Sequence, residues 1–226
     1  MKKWLKRFHF IHNLHSRYIL KIPFNWCKKK IVGQDNSVDF SSSIVWKSSI
    51  NIEGSNNKIL LKGSKLIQNL SIKIIGDNNL ISIGENCWLK NSVIWIEGNG
   101  NICQLGKGTT IESAELFLTE QNTTIEIGED CMLSDSIVFR TGDSHSILDI
   151  DTGERINNPG DIFISNHVWI GQGVTVLKNT FIGSGSVIGT RSVVNKRFED
   201  ENIIIAGVPS RKVKSNVKWT RERLVD

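Results

Sequence analysis

Histidine and cysteine are the side chains best suited to acid–base, nucleophilic or metal chemistry near neutral pH, and this chain of 226 residues has five histidines and four cysteines. His145 stands apart, flanked by Asp143, Ser144 and Ser146 in a polar stretch, residues 141–161, of loop-like Gly/Pro composition. An imidazole with an ordinary pKa is mostly neutral at pH 7 and can take a proton from a hydroxyl; the bland alternative is an exposed loop histidine with no duty. His167 precedes Val168-Trp169-Ile170 at an outward-facing position, which points to a surface role. His9, His12 and His15 fall in a basic N-terminal tail, where helical spacing could bring them near one face. Cys87 and Cys131 occupy a small inward position that Thr109 takes between them, and Cys103 shares a column with Ile59, Ile81 and Ile125, so all three read as core residues. No Cys-x-x-Cys spacing occurs, so no metal is expected, nor a disulfide framework, in agreement with a reducing compartment.

The elements that must position these residues follow from two internal repeats. Ile164, Ile170, Val176, Ile182, Ile188 and Val194 stand six apart, with Val168, Val174, Thr180, Ser186 and Ser192 four beyond the first five. Gly171, Gly183 and Gly189 beside the aliphatic positions suit short extended segments joined by sharp corners, where glycine tolerates positive φ. Earlier in the chain the period is 22: Leu61, Ile83, Leu105 and Ile127 form one column, Ile67, Leu89, Ile111 and Leu133 a second, and Ile72, Ile94, Leu116 and Val138 a third. Asn57, Asn79 and Asn101 repeat at the same interval within the turn-forming segments Gly54-Ser-Asn-Asn, Gly76-Asp-Asn-Asn and Gly98-Asn-Gly-Asn. Three hexads plus a four-residue corner account for 22. The predicted fold is therefore all-β, a solenoid of about seven coils, each of three short parallel strands, forming a prism roughly 34 Å long. Ile127 and Ile164 lie 37 residues apart, so one long loop, residues 141–161, must leave the prism between them. The expected organisation is a basic aromatic N-terminal extension over 1–39, the solenoid over 40–205 and a helical C-terminal tail over 206–226.

Composition narrows the function. Apolar residues make up 39% and charged residues 23%, which excludes a wholly disordered, low-complexity or collagen-like chain. The net charge of +5 is uneven: residues 1–30 hold nine Lys/Arg and no Asp/Glu, leaving 19 basic against 23 acidic elsewhere. The body is thus no nucleic-acid binder. No run of about 18 apolar residues and no secretion-signal stretch is present, which predicts a cytoplasmic chain. In residues 1–30, Lys2, Lys3, Lys6, Arg7 and Arg17 alternate with Trp4, Leu5, Phe8, Phe10, Ile11 and Tyr18, a pattern compatible with an interfacial helix at the inner membrane face or with a docked cap.

The hexads, the Ser-His loop, His167-Val-Trp-Ile-Gly171, Val187-Ile-Gly-Thr-Arg-Ser-Val-Val-Asn-Lys196 and Ala206-Gly-Val-Pro-Ser-Arg211 together resemble the hexapeptide-repeat acyltransferases over residues 40–215. The loop Asp143-Ser-His-Ser-Ile-Leu-Asp-Ile-Asp-Thr-Gly-Glu-Arg-Ile-Asn157 is most similar to the capsular and lipopolysaccharide O-acetyltransferase branch. That resemblance implies a left-handed β-helix, a homotrimer, and acetyl-coenzyme A lying between adjacent prisms. It implies His145 as the catalytic base acting directly on a sugar hydroxyl of a glycan acceptor. Trp169 corresponds to a residue beside the thioester or at the subunit contact, and Gln172 and Thr190 to coenzyme-contacting positions. Asn195 and Lys196 stand where many relatives have Thr-Lys, and Arg211 and Lys214 correspond to positions near the nucleotide end. With Arg191 and Arg197 they would supply cations for the diphosphate and 3′-phosphate. Residues 1–39 do not resemble the helical cap of the galactoside acetyltransferases. The alternatives are an N-acetyltransferase of an amino sugar or antibiotic, and a non-catalytic solenoid scaffold. A zinc-dependent carbonic anhydrase would need three histidine ligands, whereas the solenoid holds only His145 and His167. An ice-binding solenoid would need a rank of threonines on one outward column, and none exists.

Overall fold

The computed structural model describes residues 25–224, and no helix occurs among them. The strands stack into three faces. The first face holds β1 (Asn25–Val32), β3 (Val45–Glu53), β6 (Ser71–Ile75), β9 (Val93–Glu97), β12 (Ala114–Thr119), β15 (Ile137–Arg140), β18 (Thr175–Leu177) and β21 (Val193–Val194). The second holds β5 (Leu66–Gln68), β8 (Trp88–Lys90), β11 (Thr110–Ile111), β14 (Met132–Leu133), β17 (Trp169–Ile170), β20 (Val187–Ile188), β23 (Ile204–Gly207) and β24 (Ser210–Lys214), with the start of β3 pairing β5. The third holds β2 (Ser37–Asp39), β4 (Lys58–Leu61), β7 (Leu80–Ile83), β10 (Ile102–Leu105), β13 (Thr124–Ile127), β16 (Ile162–Ile164), β19 (Thr180–Ile182) and β22 (Arg197–Phe198). Every pairing between successive coils is parallel, so each coil finds its backbone partners only in its neighbours.

Inward residues build columns along the axis. Ile67, Leu89, Ile111, Leu133, Ile170, Ile188 and Ile205 stand in register down the second face, each at most 1% exposed. Burying each such side chain is worth about 1.5–3 kcal/mol, gained only once the coils stack. Cys87, Cys103 and Cys131 are fully buried, and burial pushes their thiols up to about 11, 12 and 11.

Five expectations need correction. The third face carries eight strands, about eight coils rather than seven, because β1 and β2 already form a coil at positions assigned to the N-terminal extension. An interfacial helix cannot occupy 25–30, which is strand; residues 1–24, with His9, His12, His15 and the Lys2–Tyr18 pattern, lie outside the described residues. The fourth member of the Ile72 column is Phe139, not Val138: the corner Ser134-Asp135-Ser136 holds one residue more than Glu112-Ser113, and Val138 pairs with Glu115. Gly171, Gly183 and Gly189 are not at positive φ. Glycine is required there by close approach, since a Cβ on Gly183 would lie 2.3 Å from Asp200 O; positive φ falls instead on Gly173, Gly185 and Arg191. The tail is not helical either. β24 pairs antiparallel with β23 and covers the open edge that a last parallel strand would leave.

The asparagine turns do more than reverse the chain. At the edge between the first and third faces, Asn57, Asn79 and Asn101 are buried in a ladder: Asn79 Nδ2 donates to Asn57 Oδ1 (3.0 Å), the Asn101 amide N–H to Asn79 Oδ1 (2.9 Å), and the Thr123 hydroxyl to Asn101 Oδ1 (2.8 Å). The Thr123 and Thr141 hydroxyls continue it at 2.9 Å. The long loop begins where this ladder ends.

Candidate active site

The loop leaves the prism between β15 and β16, at the edge joining the first and third faces. Asn157, only 8% exposed, holds it together. Its Nδ2 donates to His145 O (2.8 Å) and to Asp143 Oδ2 (2.8 Å), while its Oδ1 accepts from Ile147 N (2.7 Å) and Arg155 Nε (3.1 Å). Satisfying four groups with one buried amide fixes the backbone on both sides of His145, and the imidazole itself is left exposed.

An ionic frame ties this knot to the coils below and above. Arg155 makes a bidentate pair with Glu120 at 2.5 and 2.7 Å, and Lys178 Nζ lies 2.6 Å from Asp143 Oδ2 and 3.1 Å from Asn157 O. The Arg155 hydrogen bonds hold the Glu120 carboxyl below its usual range, and Lys178, then Asn157, do the same for Asp143. Asp149 caps its own turn, accepting from the amides of Asp151 (3.0 Å) and Thr152 (2.9 Å). The carboxylates of Asp143 and Asp149 are thus both engaged by groups other than the imidazole. Arg140 Nη2 donates to Ser144 Oγ (3.3 Å) beside His145.

Most of the other candidates meet on the second face and its edge with the first. Trp169, 39% exposed, stands in one row with Val187, Ile204 and Lys214. Gly189 follows Gly171 in the next coil, and Ala206, which pairs with Arg211, follows Gly189. Gln172 and Thr190 are the exposed corner residues after the two glycines, and Arg191 N donates to Gln172 O (2.8 Å). Gly171, Gly189 and Ala206 thus succeed one another from coil to coil as small residues, beside the row that runs from Trp169 to Lys214.

Asn195 and Lys196 are not part of this group. They follow β21 at the edge that carries the loop, and Arg197, on the third face, is paired with Glu199 (2.8 Å). The cations expected to cluster are therefore divided within one chain: Arg191, Arg211 and Lys214 lie on the second face and its edge with the first, Lys196 at the loop edge and Arg197 on the third face.

Sequence reasoning passed over Asn157, Arg155, Glu120 and Lys178. One signal was present: Gly54, Gly76 and Gly98 recur at 22, and the next position is Glu120, which keeps the positive φ (77°) without being glycine. A left-handed glutamate costs about 1–2 kcal/mol, a cost that its bidentate partner offsets. His167, read as a surface residue, is also more engaged than expected, bonded to Asp130 and stacked on Trp219.

No family model matches the chain. Among solved structures, the polysialic-acid-specific acetyltransferase NeuO superposes with a TM-score of 0.78 at 30% identity, covering 88% of this chain and 91% of that one. This chain belongs to the hexapeptide-repeat β-helix acyltransferases. Its curated relatives include acetyltransferases of polysaccharides. The putative lipopolysaccharide biosynthesis O-acetyltransferase WbbJ of Escherichia coli (strain K12) is 40% identical over 76 residues, 34% of this chain and 38% of that protein. The polysialic acid O-acetyltransferase of Neisseria meningitidis is 35% identical over 83 residues, 37% of this chain and 39% of that protein. The matches thus span about two fifths of these curated relatives' length.

Proposed function

We propose that this chain transfers the acetyl group of acetyl-coenzyme A directly to a sugar hydroxyl of a capsular or lipopolysaccharide glycan, or of its precursor, with His145 as general base. The observation that carries the reading is the single break in the solenoid, a loop whose backbone is held rigid by Asn157 while its one imidazole faces outward. The hydroxyl oxygen attacks the thioester carbonyl as His145 takes its proton; the C–O bond forms, the C–S bond breaks, and the imidazolium returns the proton to the thiolate. Such catalysis is worth roughly 10²–10⁴ in rate.

The chain acts as a homotrimer. His145 and Lys196 stand at one edge of the first face and Gln172 and Thr190 at the other, with Trp169 on the second face beyond them, so one prism does not hold a complete site. Three prisms with the first face turned to a common axis bring the loop edge of one copy against the Gln172 and Thr190 edge of the next. The same arrangement rejoins Lys196 of one copy with Arg191, Arg211 and Lys214 of another around the coenzyme's phosphates. Trp95, Phe117 and Leu177, in one row of that face with Arg140 between the last two, supply apolar contact. The reaction takes place in the cytoplasm or at the inner membrane face, and no helix among the described residues is long and apolar enough to cross a membrane.

The test is thiol release from acetyl-coenzyme A in the presence of acidic and neutral glycan acceptors. His145→Ala is expected to lower turnover roughly 10²–10⁴-fold while coenzyme A binding persists. Turnover near wild type with binding intact removes the imidazole from the mechanism.

A further inference from the structure

The chain beyond β24 runs back along the edge between the third and second faces, crossing one coil after another. Val217 N donates to Asn202 O (3.0 Å), and the Trp219 indole N–H to His167 O (2.9 Å). Arg221 reaches two coils further, with Nε on Asp130 Oδ1 (2.9 Å), Nη1 on Thr110 Oγ1 (2.9 Å) and Nη2 on Cys131 O (2.9 Å). Trp219 is only 6% exposed and lies flat on His167, with ring centroids 4.0 Å apart and planes 9° apart. The His167 ring is fixed by Asp130 Oδ2 on Nδ1 (2.7 Å) and by Trp219 O near Nε2 (3.3 Å). The chain of contacts is closed: Arg221 orients Asp130, Asp130 orients His167, and His167 carries Trp219. Four coils are stapled by five residues.

What this staple touches gives it a further role. The Trp219 ring lies 6.2 Å from that of Trp169, tilted by 47°, a geometry in which aromatic pairs attract beyond simple burial. Trp169 has Met132 below it and Val187 above it in its row, so Trp219 supplies the lateral wall against which the indole rests. We propose that segment 217–221 is a positioning strap, with Trp219 holding the Trp169 indole in the orientation that receives the acyl–pantetheine end of the coenzyme. This rests on the acetyltransferase reading above. Trp219 touches no reacting atom; it acts through Trp169.

The test is a double-mutant cycle on the full-length chain, read by calorimetric titration with coenzyme A and by the KM for acetyl-coenzyme A. Trp219→Ala is expected to weaken both about tenfold, and Trp219→Phe, which keeps a ring against Trp169, to restore them to within about threefold. In a Trp169→Ala background the Trp219→Ala change is expected to have no further effect. Additive losses, or equal losses for Phe and Ala, overturn the strap in favour of a merely structural tail. If Trp219→Ala folds poorly, Arg221→Ala unpins Asp130 from a distance and is expected to shift the same KM by a smaller factor that also vanishes in the Trp169→Ala background; an unchanged KM overturns the strap. Normal wild-type binding with unchanged affinity in Trp219→Ala sinks the strap alone. Failure of the wild type to bind coenzyme A sinks the acetyltransferase reading and the strap together.

Discussion

The edge between the first and third faces solves one problem in two ways. In the coils below the loop, each corner is held by a neutral amide or hydroxyl of a neighbouring coil, in the series Asn57, Asn79, Asn101, Thr123 and Thr141. At the loop itself the corner is again held by an asparagine, Asn157, but its surroundings are charged: Arg155, Glu120, Asp143 and Lys178. The neutral ladder is buried and belongs to the stack, so it cannot be loosened without separating coils. The ionic frame is partly exposed and holds an excursion that no coil needs for its own strand pairing. The two halves of one edge should therefore fail differently, the ladder in stability and the frame in activity.

The ladder is where the larger loss of stability is expected. Asn101→Ala removes the acceptor of the Thr123 amide and hydroxyl and the donor to Glu120 O, at a fully buried position. Each stranded buried group costs about 1–3 kcal/mol, so a loss of about 3 kcal/mol or more is expected in denaturant unfolding, with turnover per folded molecule near wild type. An activity loss exceeding the stability loss would erase the distinction between the two regions. Asn157→Ala should do the reverse. Its strand pairing is untouched, so unfolding should shift by only about 1 kcal/mol, while the freed His145 backbone lowers kcat about tenfold and leaves coenzyme A affinity unchanged. A large drop in stability would show that the loop is part of the stack after all.

How far these differences could be read beforehand follows from their origin. Columns at six and 22 residues are visible because stacking demands the same side-chain size at the same point of every coil, and the loop is visible because it breaks that spacing. The one-residue slip that places Phe139 rather than Val138 in the core was hidden, since both are apolar and the extra residue sits in a polar corner that tolerates it. His145 stood out as the histidine of the only long loop. Asn157 and Arg155 did not, because their roles depend on how the loop folds back on itself, as in the antiparallel bridge between Leu148 and Arg155, and no repeat constrains that path. The Trp219 staple was hidden for the same reason: partners 52 and 91 residues away leave no periodic trace.

The smallest effect expected is an acid transition confined to the loop. Glu120 and Asp143 both have folded pKa values held below their usual ones, Glu120 chiefly by Arg155 and Asp143 chiefly by Lys178. A depressed carboxyl binds its proton more readily in the opened loop than in the closed one, so its contribution is complete above the usual carboxylate range of about 4 and disappears as pH falls through the folded values. The Asn157 amide does not titrate, nor does the neutral ladder below. The loop should therefore open in acid before the solenoid unfolds, visible as proteolytic nicking within 146–154 that rises below about pH 4 while the strand signal in circular dichroism is unchanged. Glu120→Gln removes the first of the two titrations, so nicking should begin at neutral pH and rise less in acid. If nicking and strand loss coincide at every pH, the ionic frame has no independence from the ladder, and the contrast between the two halves of this edge fails.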